Sequence, residues 1–147
     1  MNVREVDRDD GDVAALFLAL WSELDQIYGP NPGTEFRPEA MPADAKLFVA
    51  YDPTAIGCAA LVPDGEVCEV KRMYVCPQVR GRGASVLLLG ALEDAARGLG
   101  ARALRLETGV EQPRAIAFYR REGFVPCPCW GAFADDPLSR CFVKVLT

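Results

Sequence analysis

The sequence predicts an α/β protein of the α+β kind, with a mixed and mostly antiparallel sheet. Three strand-like runs, 47–51, 56–62 and 66–76, are separated by Asp-Pro-Thr and Pro-Asp-Gly, which are turn sequences. A glycine-rich loop, an apolar helical segment and a further strand from Arg102 follow them. A strand–helix–strand crossover makes its two strands parallel. We therefore expect an antiparallel meander joined to one parallel pair.

Apolar periodicity predicts the elements before the meander. Residues 3–6 alternate apolar and polar and predict a strand, and Asp10 or Asp12 is placed to cap the helix after it. Apolar side chains recur at helical spacing on that helix: Val13, Leu16, Phe17, Leu20, Leu24 and Ile27. Residues 28–44 contain four prolines and two glycines and predict a loop. In this loop Tyr28, Glu35 and Arg37 either contact a substrate or are solvated.

The second half of the chain predicts two helices and the closing strands. The first helix has one apolar stripe, made of Leu88, Leu92, Ala95 and Leu99, and ends at Gly98 and Gly100. Pro113 suits the first turn of a last helix, which runs to about Arg121. Residues 124–125 and 141–146 predict the closing strands. We expect residues 1–147 to form a single domain, since the chain is long enough for one core.

The charge balance limits the classes of partner. Lys and Arg number 16 against 21 Asp and Glu, which gives a formal net charge of −5. A broad basic surface is hard to assemble from this balance, so a nucleic-acid partner is disfavoured. The N-terminus is too polar for a signal peptide, and the longest apolar run, 86–92, is too short to cross a membrane. We expect a cytoplasmic protein without a membrane partner.

Cysteine and histidine usage argues against several kinds of site. Six cysteines stand at positions 58, 68, 76, 127, 129 and 141. Without an export signal we expect them to be reduced. The chain has no histidine, and Cys127-Pro-Cys129 is too tight for the usual zinc spacing, so no metal is predicted. The lack of histidine also excludes a Ser-His or Cys-His nucleophile pair.

The loop 77–85, which reads P-Q-V-R-G-R-G-A-S, lies between an apolar strand and an apolar helix. Glycines allow close backbone approach, and a helix N-terminus presents unpaired N–H groups and a partial positive charge. These features favour an anion site, most simply for phosphate. The string fits neither a Walker loop nor a dinucleotide fingerprint, which needs glycine where Val86 stands. A turn that merely starts a helix is the alternative.

Four segments together carry a resemblance to a known family. They are E-V-K-R-M-Y-V at 69–75, Q-V-R-G-R-G-A at 78–84, L-E-T-G at 106–109 and Q-P-R-A-I-A-F-Y-R-R-E-G-F at 112–124. In residues, order and spacing they resemble the GNAT superfamily of acyl-CoA-dependent N-acyltransferases. The resemblance implies a six- to seven-stranded sheet with about four helices, in which strands 4 and 5 splay apart to admit the cofactor.

The resemblance implies acetyl-CoA as co-substrate and assigns residues to it. The pyrophosphate loop falls on Gln78, Arg80, Gly81, Arg82, Gly83, Ala84 and Ser85. The side chains of Arg80 and Arg82 either screen the phosphates or are solvated. The backbone of Met73 and Val75 would pair with the pantetheine arm, and Gln112 replaces the family's usual asparagine.

The resemblance also implies the catalytic groups. Tyr119 occupies the position of a tyrosine that meets the thioester sulfur, where it protonates the leaving thiolate or donates a hydrogen bond to it. A core tyrosine is the alternative. Glu69 fits the position of a general base, although an ion pair with Lys71 is an equally simple explanation. Glu107 and Thr108 are substitutes for the base.

The expected reaction is direct transfer of the acetyl group to a primary amine of a small molecule. Acceptor pockets in the family often use the loop before the last strand, which here contains Trp130, Phe133, Asp135 and Asp136. The two aspartates either bind a cationic amine or are solvated. A homodimer is plausible for the family. The alternatives are a non-catalytic acyl-CoA-binding module and an acetyltransferase that acts on a protein or peptide amine.

Overall fold

One mixed sheet forms the centre of the computed structural model, which describes residues 1–30 and 36–147. Its strands are β1 Asn2–Val6, β2 Lys46–Tyr51, β3 Ala55–Asp64, β4 Val67–Val75, β5 Ala103–Gly109, β6 Val125–Cys127 and β7 Ser139–Val145. They lie in the order β1-β2-β3-β4-β5-β7-β6. Neighbouring strands are antiparallel except for β4 and β5, which are parallel. The predicted mixed, mostly antiparallel sheet is confirmed.

Three α-helices lie within the described residues, one fewer than the resemblance implied: α1 Gly11–Tyr28, α2 Ala84–Gly98 and α3 Pro113–Arg121. Of the two candidate caps of α1, Asp10 is the one used, since its Oδ1 accepts a hydrogen bond of 2.9 Å from the Val13 amide. Single turns of 3-10 helix occur at Pro38–Ala40, Pro77–Val79 and Gly131–Phe133. None of the helices in residues 1–30 and 36–147 meets the length and apolarity needed to cross a membrane.

The helices cover both faces of the sheet. Val13, Leu16 and Phe17 of α1 pack on one face, and α2 and α3 contribute to the core on the other. Two residues depart from the predicted stripes, since Ile27 is 42% exposed and Leu99 is 50% exposed. Ile27 lies in the last turn of α1 and Leu99 caps the end of α2, so both lie at the ends of their stripes.

The parallel pair opens into a wedge. β4 and β5 pair only from Val67↔Ala103 to Glu69↔Arg105. Beyond that point β4 stays beside β3 and β5 stays beside β7. A bulge in β4 marks the divergence, where Arg72 adopts a left-handed φ of 58°. The expected splay of strands 4 and 5 is confirmed.

The expectation of reduced cysteines is wrong for one pair. Cys129 and Cys141 form a disulfide with a Cα–Cα distance of 5.2 Å, within the range that such a bond requires. Antiparallel pairing of β6 with β7 sets Cys127 opposite Cys141, which brings the following Cys129 within reach. The cysteine spacing alone does not reveal this, because the contact depends on which strands pair. Cys58, Cys68, Cys76 and Cys127 are free.

Candidate active site

A cleft of about 800 Å³ lies at the wedge between β4 and β5. Its walls come from the end of β4, the glycine loop, the start of α2, most of α3 and the C-terminal half of α1. The wall runs from the glycine loop to Met73, beside the bulge in β4, so the cleft can take an extended ligand between these two points.

The glycine loop has the backbone geometry of a cradle. Gly81 and Gly83 have left-handed φ values of 84° and 91°, and the positions where their Cβ atoms would stand are open space. Gly83 is also the N-cap of α2, and no side chain caps that helix. The first amides of a long helix are thus left to an outside acceptor at the wall of the cleft.

Most residues predicted to bind a cofactor line this cleft: Met73, Val75, Arg80, Gly81, Gly83, Ala84, Ser85 and Gln112. Gln78 and Arg82 are exposed and are not among the residues of the described chain that form its wall. Gln112 is the N-cap of α3 and makes no side-chain capping bond.

Arg80 already has partners within the protein, and its role toward the phosphates stays a prediction. Its Nη2 lies 2.7 Å from Glu23 Oε1, and its Nε donates a 2.8 Å hydrogen bond to the Val75 carbonyl. Arg80 therefore ties the glycine loop to α1 and to the end of β4. The Val75 carbonyl, expected to pair with the cofactor arm, already has this partner.

A second cavity of about 150 Å³ continues from the inner end of the cleft. The two cavities share five wall residues: Leu20, Met73, Gln112, Ala115 and Tyr119. Tyr119 is 6% exposed and belongs to the core cluster, with edge-on contacts to Phe118 and Phe124. Burial raises the pKa of its phenol above the ordinary value, so the hydroxyl stays protonated and can donate a hydrogen bond.

Two carboxylates, Glu69 and Glu107, line the inner cavity. Glu69 is paired on both oxygens, since the Trp130 indole donates to Oε1 at 3.2 Å and Lys71 Nζ lies 3.3 Å from Oε2. The ion pair with Lys71, one of the two interpretations of Glu69, is therefore present. Glu107 accepts a 2.7 Å hydrogen bond from the Ser139 hydroxyl on Oε2.

The loop 128–138, between β6 and β7, covers the acceptor side of the sheet. The Arg105 guanidinium stacks 4.2 Å from the centre of the Trp130 ring, and Lys71 Nζ lies 5.5 Å from that of Phe133. Phe133 lines the inner cavity, whereas Asp135 and Asp136 are exposed and do not. Asp136 Oδ1 instead accepts the Leu138 amide within the loop. The hypothesis that these aspartates bind the amine is therefore not supported.

Helix α1 supplies part of the cavity wall that was not predicted from the sequence. Leu20, Leu24 and Ile27, predicted only as part of the apolar stripe of α1, line the cavities. The sequence does contain an indication of this role, because the apolar stripe of α1 continues beyond the part of the helix that packs on the sheet. Phe36 and Arg72 also line the inner cavity and were not predicted. Arg72 lies at the bulge in β4, and no pattern in this sequence indicates that bulge.

Three residues before β2 were considered as substrate contacts: Tyr28, Glu35 and Arg37. The Tyr28 hydroxyl accepts a hydrogen bond of 3.2 Å from the Glu111 amide and lies against Gly109, so Tyr28 braces the end of β5. Arg37 is exposed. Glu35 lies outside the described residues.

Comparisons with known proteins agree with this geometry. The model of the Acetyltransferase (GNAT) family matches residues 13–124. An IAA acetyltransferase of Azospirillum brasilense is 45% identical over 137 residues, which is 88% of this chain and 90% of that protein. A Klebsiella pneumoniae protein assigned as an acyl-CoA N-acyltransferase superposes with a TM-score of 0.82 at 31% identity, covering 99% of this chain and 97% of the other.

The PaiA N-acetyltransferase of Thermoplasma acidophilum, solved with coenzyme A, shares the fold. It has a TM-score of 0.77 and 18% identity, and 98% of each chain is covered. The family match spans most of the chain, and the Azospirillum relative spans nearly all of it. The chain therefore belongs to the GNAT family of acetyltransferases and is an acyl-CoA-dependent enzyme.

Proposed function

We propose that this enzyme transfers the acetyl group of acetyl-CoA directly to a primary amine of a small molecule. The observation that carries the proposal is the position of Tyr119, which lines both the long cleft and the inner cavity. A thioester reached through the cleft and an amine in the inner cavity would meet beside this tyrosine.

The cleft fits coenzyme A on three counts. The wedge leaves the edge of β4 beyond Glu69 without a partner strand in the described chain, so backbone groups near Met73 can pair with an amide-containing arm. Gly81 and Gly83 leave open space in a left-handed loop, and α2 begins there without a side-chain cap. A diphosphate suits these amides by charge and by hydrogen bonding.

Tyr119 has the proton needed at the leaving sulfur. Acetyl-CoA, when bound, supplies an electrophilic carbonyl and a thiolate leaving group. An ordinary phenol is about 1.5 pKa units weaker as an acid than a thiol, which corresponds to about 2 kcal/mol, and burial adds to that difference. Tyr119 therefore stabilises the thiolate through a hydrogen bond more readily than by complete proton transfer.

The inner cavity favours a small acceptor. It measures about 150 Å³, and Phe133 of the 128–138 loop forms part of its wall. A peptide segment would need an open groove at this point. The Azospirillum relative is named an IAA acetyltransferase, which supports acetyl transfer as the reaction. Our expectation of a homodimer stays a prediction.

Substitution of Tyr119 by Phe tests the proposal. We expect kcat to fall by about 10²-fold, because the hydrogen bond to the leaving thiolate is lost. Coenzyme A binding, measured by isothermal titration calorimetry, should stay within about twofold of wild type. Tyr51→Phe is the matched control, since the Tyr51 hydroxyl at the end of β2 bonds Asp12 of α1, and Tyr51 lines neither cavity.

Three outcomes separate the alternatives. A wild-type protein that binds coenzyme A but acetylates nothing in an amine panel would be a binding module. Preference for a peptide panel over the amine panel would assign a protein acceptor. Full activity of Tyr119→Phe on small amines would leave the acceptor assignment intact and remove the role of the tyrosine.

A further inference from the structure

We propose that Glu107 is the group that takes the proton from the acceptor amine, and that Glu69 is a positioning carboxylate that holds the 128–138 loop. This assignment rests on the proposed function. It reverses the expectation from the sequence, where Glu69 is the first candidate for the base. The two carboxylates differ in their hydrogen-bond partners and stand on the same face of the sheet.

Both carboxylates project from the same face of the sheet. Side chains alternate along a strand, and Cys68 and Val70 of β4 belong to the core on the α2 side, as do Leu104 and Leu106 of β5. Glu69 and Glu107 therefore share the opposite face, where the 128–138 loop covers them. Each lines the inner cavity that reaches Tyr119.

Glu69 is occupied by structural partners. The Trp130 indole donates to Oε1, and Lys71 pairs with Oε2. Trp130 also contacts Arg105, and Lys71 also contacts Phe133. A proton taken up by either oxygen would displace one of the two donors. Since Trp130 belongs to the 128–138 loop, such a displacement would also loosen the wall of the cavity.

Glu107 has a different environment. Within the described chain Ser139 is its one hydrogen-bond donor, and it contacts Oε2 alone, at 2.7 Å. Oε1 is left for a ligand in the cavity. The Ser139 hydroxyl fixes the carboxylate in place at the wall of the inner cavity, and Oε1 is the oxygen that this bond does not use.

The charges around Glu107 favour a proton acceptor. The charged groups nearby are Lys71, Glu69 and Arg72 of β4 and Asp136 of the 128–138 loop. Burial is the largest influence and raises the pKa of the Glu107 carboxyl. The Ser139 bond and Lys71 lower that pKa, and Asp136 and Glu69 raise it. The net effect moves the pKa of the Glu107 carboxyl toward neutral pH, and a general base is more effective when its pKa lies near the working pH.

The proton balance of the reaction gives Glu107 a defined step. An ammonium acceptor and a thioester yield an amide, a thiol and one free proton. Glu107 Oε1 removes the first ammonium proton, which frees the nitrogen lone pair to form the N–C bond, and later releases it to solvent. The second proton ends on the sulfur after the C–S bond breaks beside Tyr119, and the third stays on the amide nitrogen.

The test compares Glu107→Gln with Glu69→Gln on two acceptors that differ in basicity. One is the best aliphatic amine of the panel, and the other is its 2,2-difluoro analogue, whose lower basicity leaves a much larger fraction neutral at pH 7. We expect Glu107→Gln to lower kcat at least about 10²-fold on the aliphatic amine but only a few-fold on the fluorinated one. Glu69→Gln should affect both acceptors equally.

A second variant keeps Glu107 in place. In wild type kcat should fall as the pH drops through the pKa of Glu107. Ser139→Ala removes a bond that lowers this pKa, so the acidic limb should move to higher pH. Glu107→Asp should recover part of the activity lost in Glu107→Gln. Coenzyme A titration and thermal unfolding show whether each variant keeps its fold.

The outcomes are distinct. Equal losses on both amines in Glu107→Gln, or an acidic limb that Ser139→Ala does not move, would overturn the assignment while acetylation itself stands. A selective loss in Glu69→Gln would return the base to Glu69. A wild-type enzyme that acetylates neither amine would overturn the proposed function, and the role of Glu107 with it.

Discussion

Gly57 determines how closely β3 approaches the C-terminal end of β4, where it pairs with Val75. A Cβ there would stand 2.8 Å from the Tyr74 carbonyl and 3.3 Å from Leu88 Cδ1. The carbonyl belongs to a paired strand and cannot move aside alone. We expect Gly57→Ala to lower the free energy of unfolding by about 1–3 kcal/mol, measured by urea denaturation.

Gly90 provides the matched control for Gly57. It lies inside α2, where a Cβ would meet nothing within 4 Å. Gly90→Ala should stabilise the protein by about 0.5–1 kcal/mol, because alanine loses less entropy in a helix. Equal stability of Gly57→Ala and wild type would show that β3 can shift away from β4.

At the scale of residues, the sequence predicts what lies close in the chain. Glu69 and Lys71 share a strand face two positions apart, so their ion pair was one of two stated alternatives. The bond from Trp130 to Glu69 joins residues 61 positions apart. No local pattern indicates such a bond, and it is the contact that occupies the second oxygen of Glu69.

At the scale of elements, the 128–138 loop depends on its disulfide. The Cys129–Cys141 bond closes a loop with a sequence separation of 12 and joins the loop to β7. Cross-linking a segment of this length stabilises a protein by about 3 kcal/mol, through the entropy of the unfolded chain. We expect Cys129→Ser to lower the free energy of unfolding by an amount of this order.

Cys127→Ser is the matched control for the disulfide, since Cys127 is a free thiol on the paired strand β6. Its stability should stay close to that of wild type. Adding dithiothreitol should bring wild type down to the level of Cys129→Ser and leave Cys129→Ser unchanged. A wild-type protein that is insensitive to reductant would contradict the prediction.

The helices and strands were largely predictable from the sequence. Which strands lie next to one another in the sheet was less predictable. Asp10, Pro113 and the Pro-Asp-Gly turn are local signals, and the helices and hairpins they mark are present. The insertion of β7 between β5 and β6 has no local signal, because strand order follows from long-range pairing. The disulfide was missed for the same reason.

At the scale of the whole molecule, ligand binding and stability should be linked through the wedge. A ligand that binds only the folded state at 100 times its dissociation constant adds about 2.7 kcal/mol to the free energy of unfolding. We expect coenzyme A to raise the melting temperature with concentration. Amides of β4 beyond Glu69 should also become protected from hydrogen exchange.

The control for this prediction is adenosine 3′-phosphate 5′-diphosphate, the nucleotide part of coenzyme A without the pantetheine arm. It should stabilise the protein without protecting the edge of β4, because it reaches only the glycine loop. Equal exchange of those amides with and without coenzyme A would show that the arm does not pair with β4.

The interrupted pairing of β4 with β5 has a consequence for the protein's lifetime in a cell. Because the two central strands separate part-way along their length, the bound substrate completes the packing of the domain. Enzyme molecules without bound substrate unfold more often and are therefore degraded sooner by proteases. Abundance of the enzyme should then rise and fall with the supply of its thioester, without any change in synthesis.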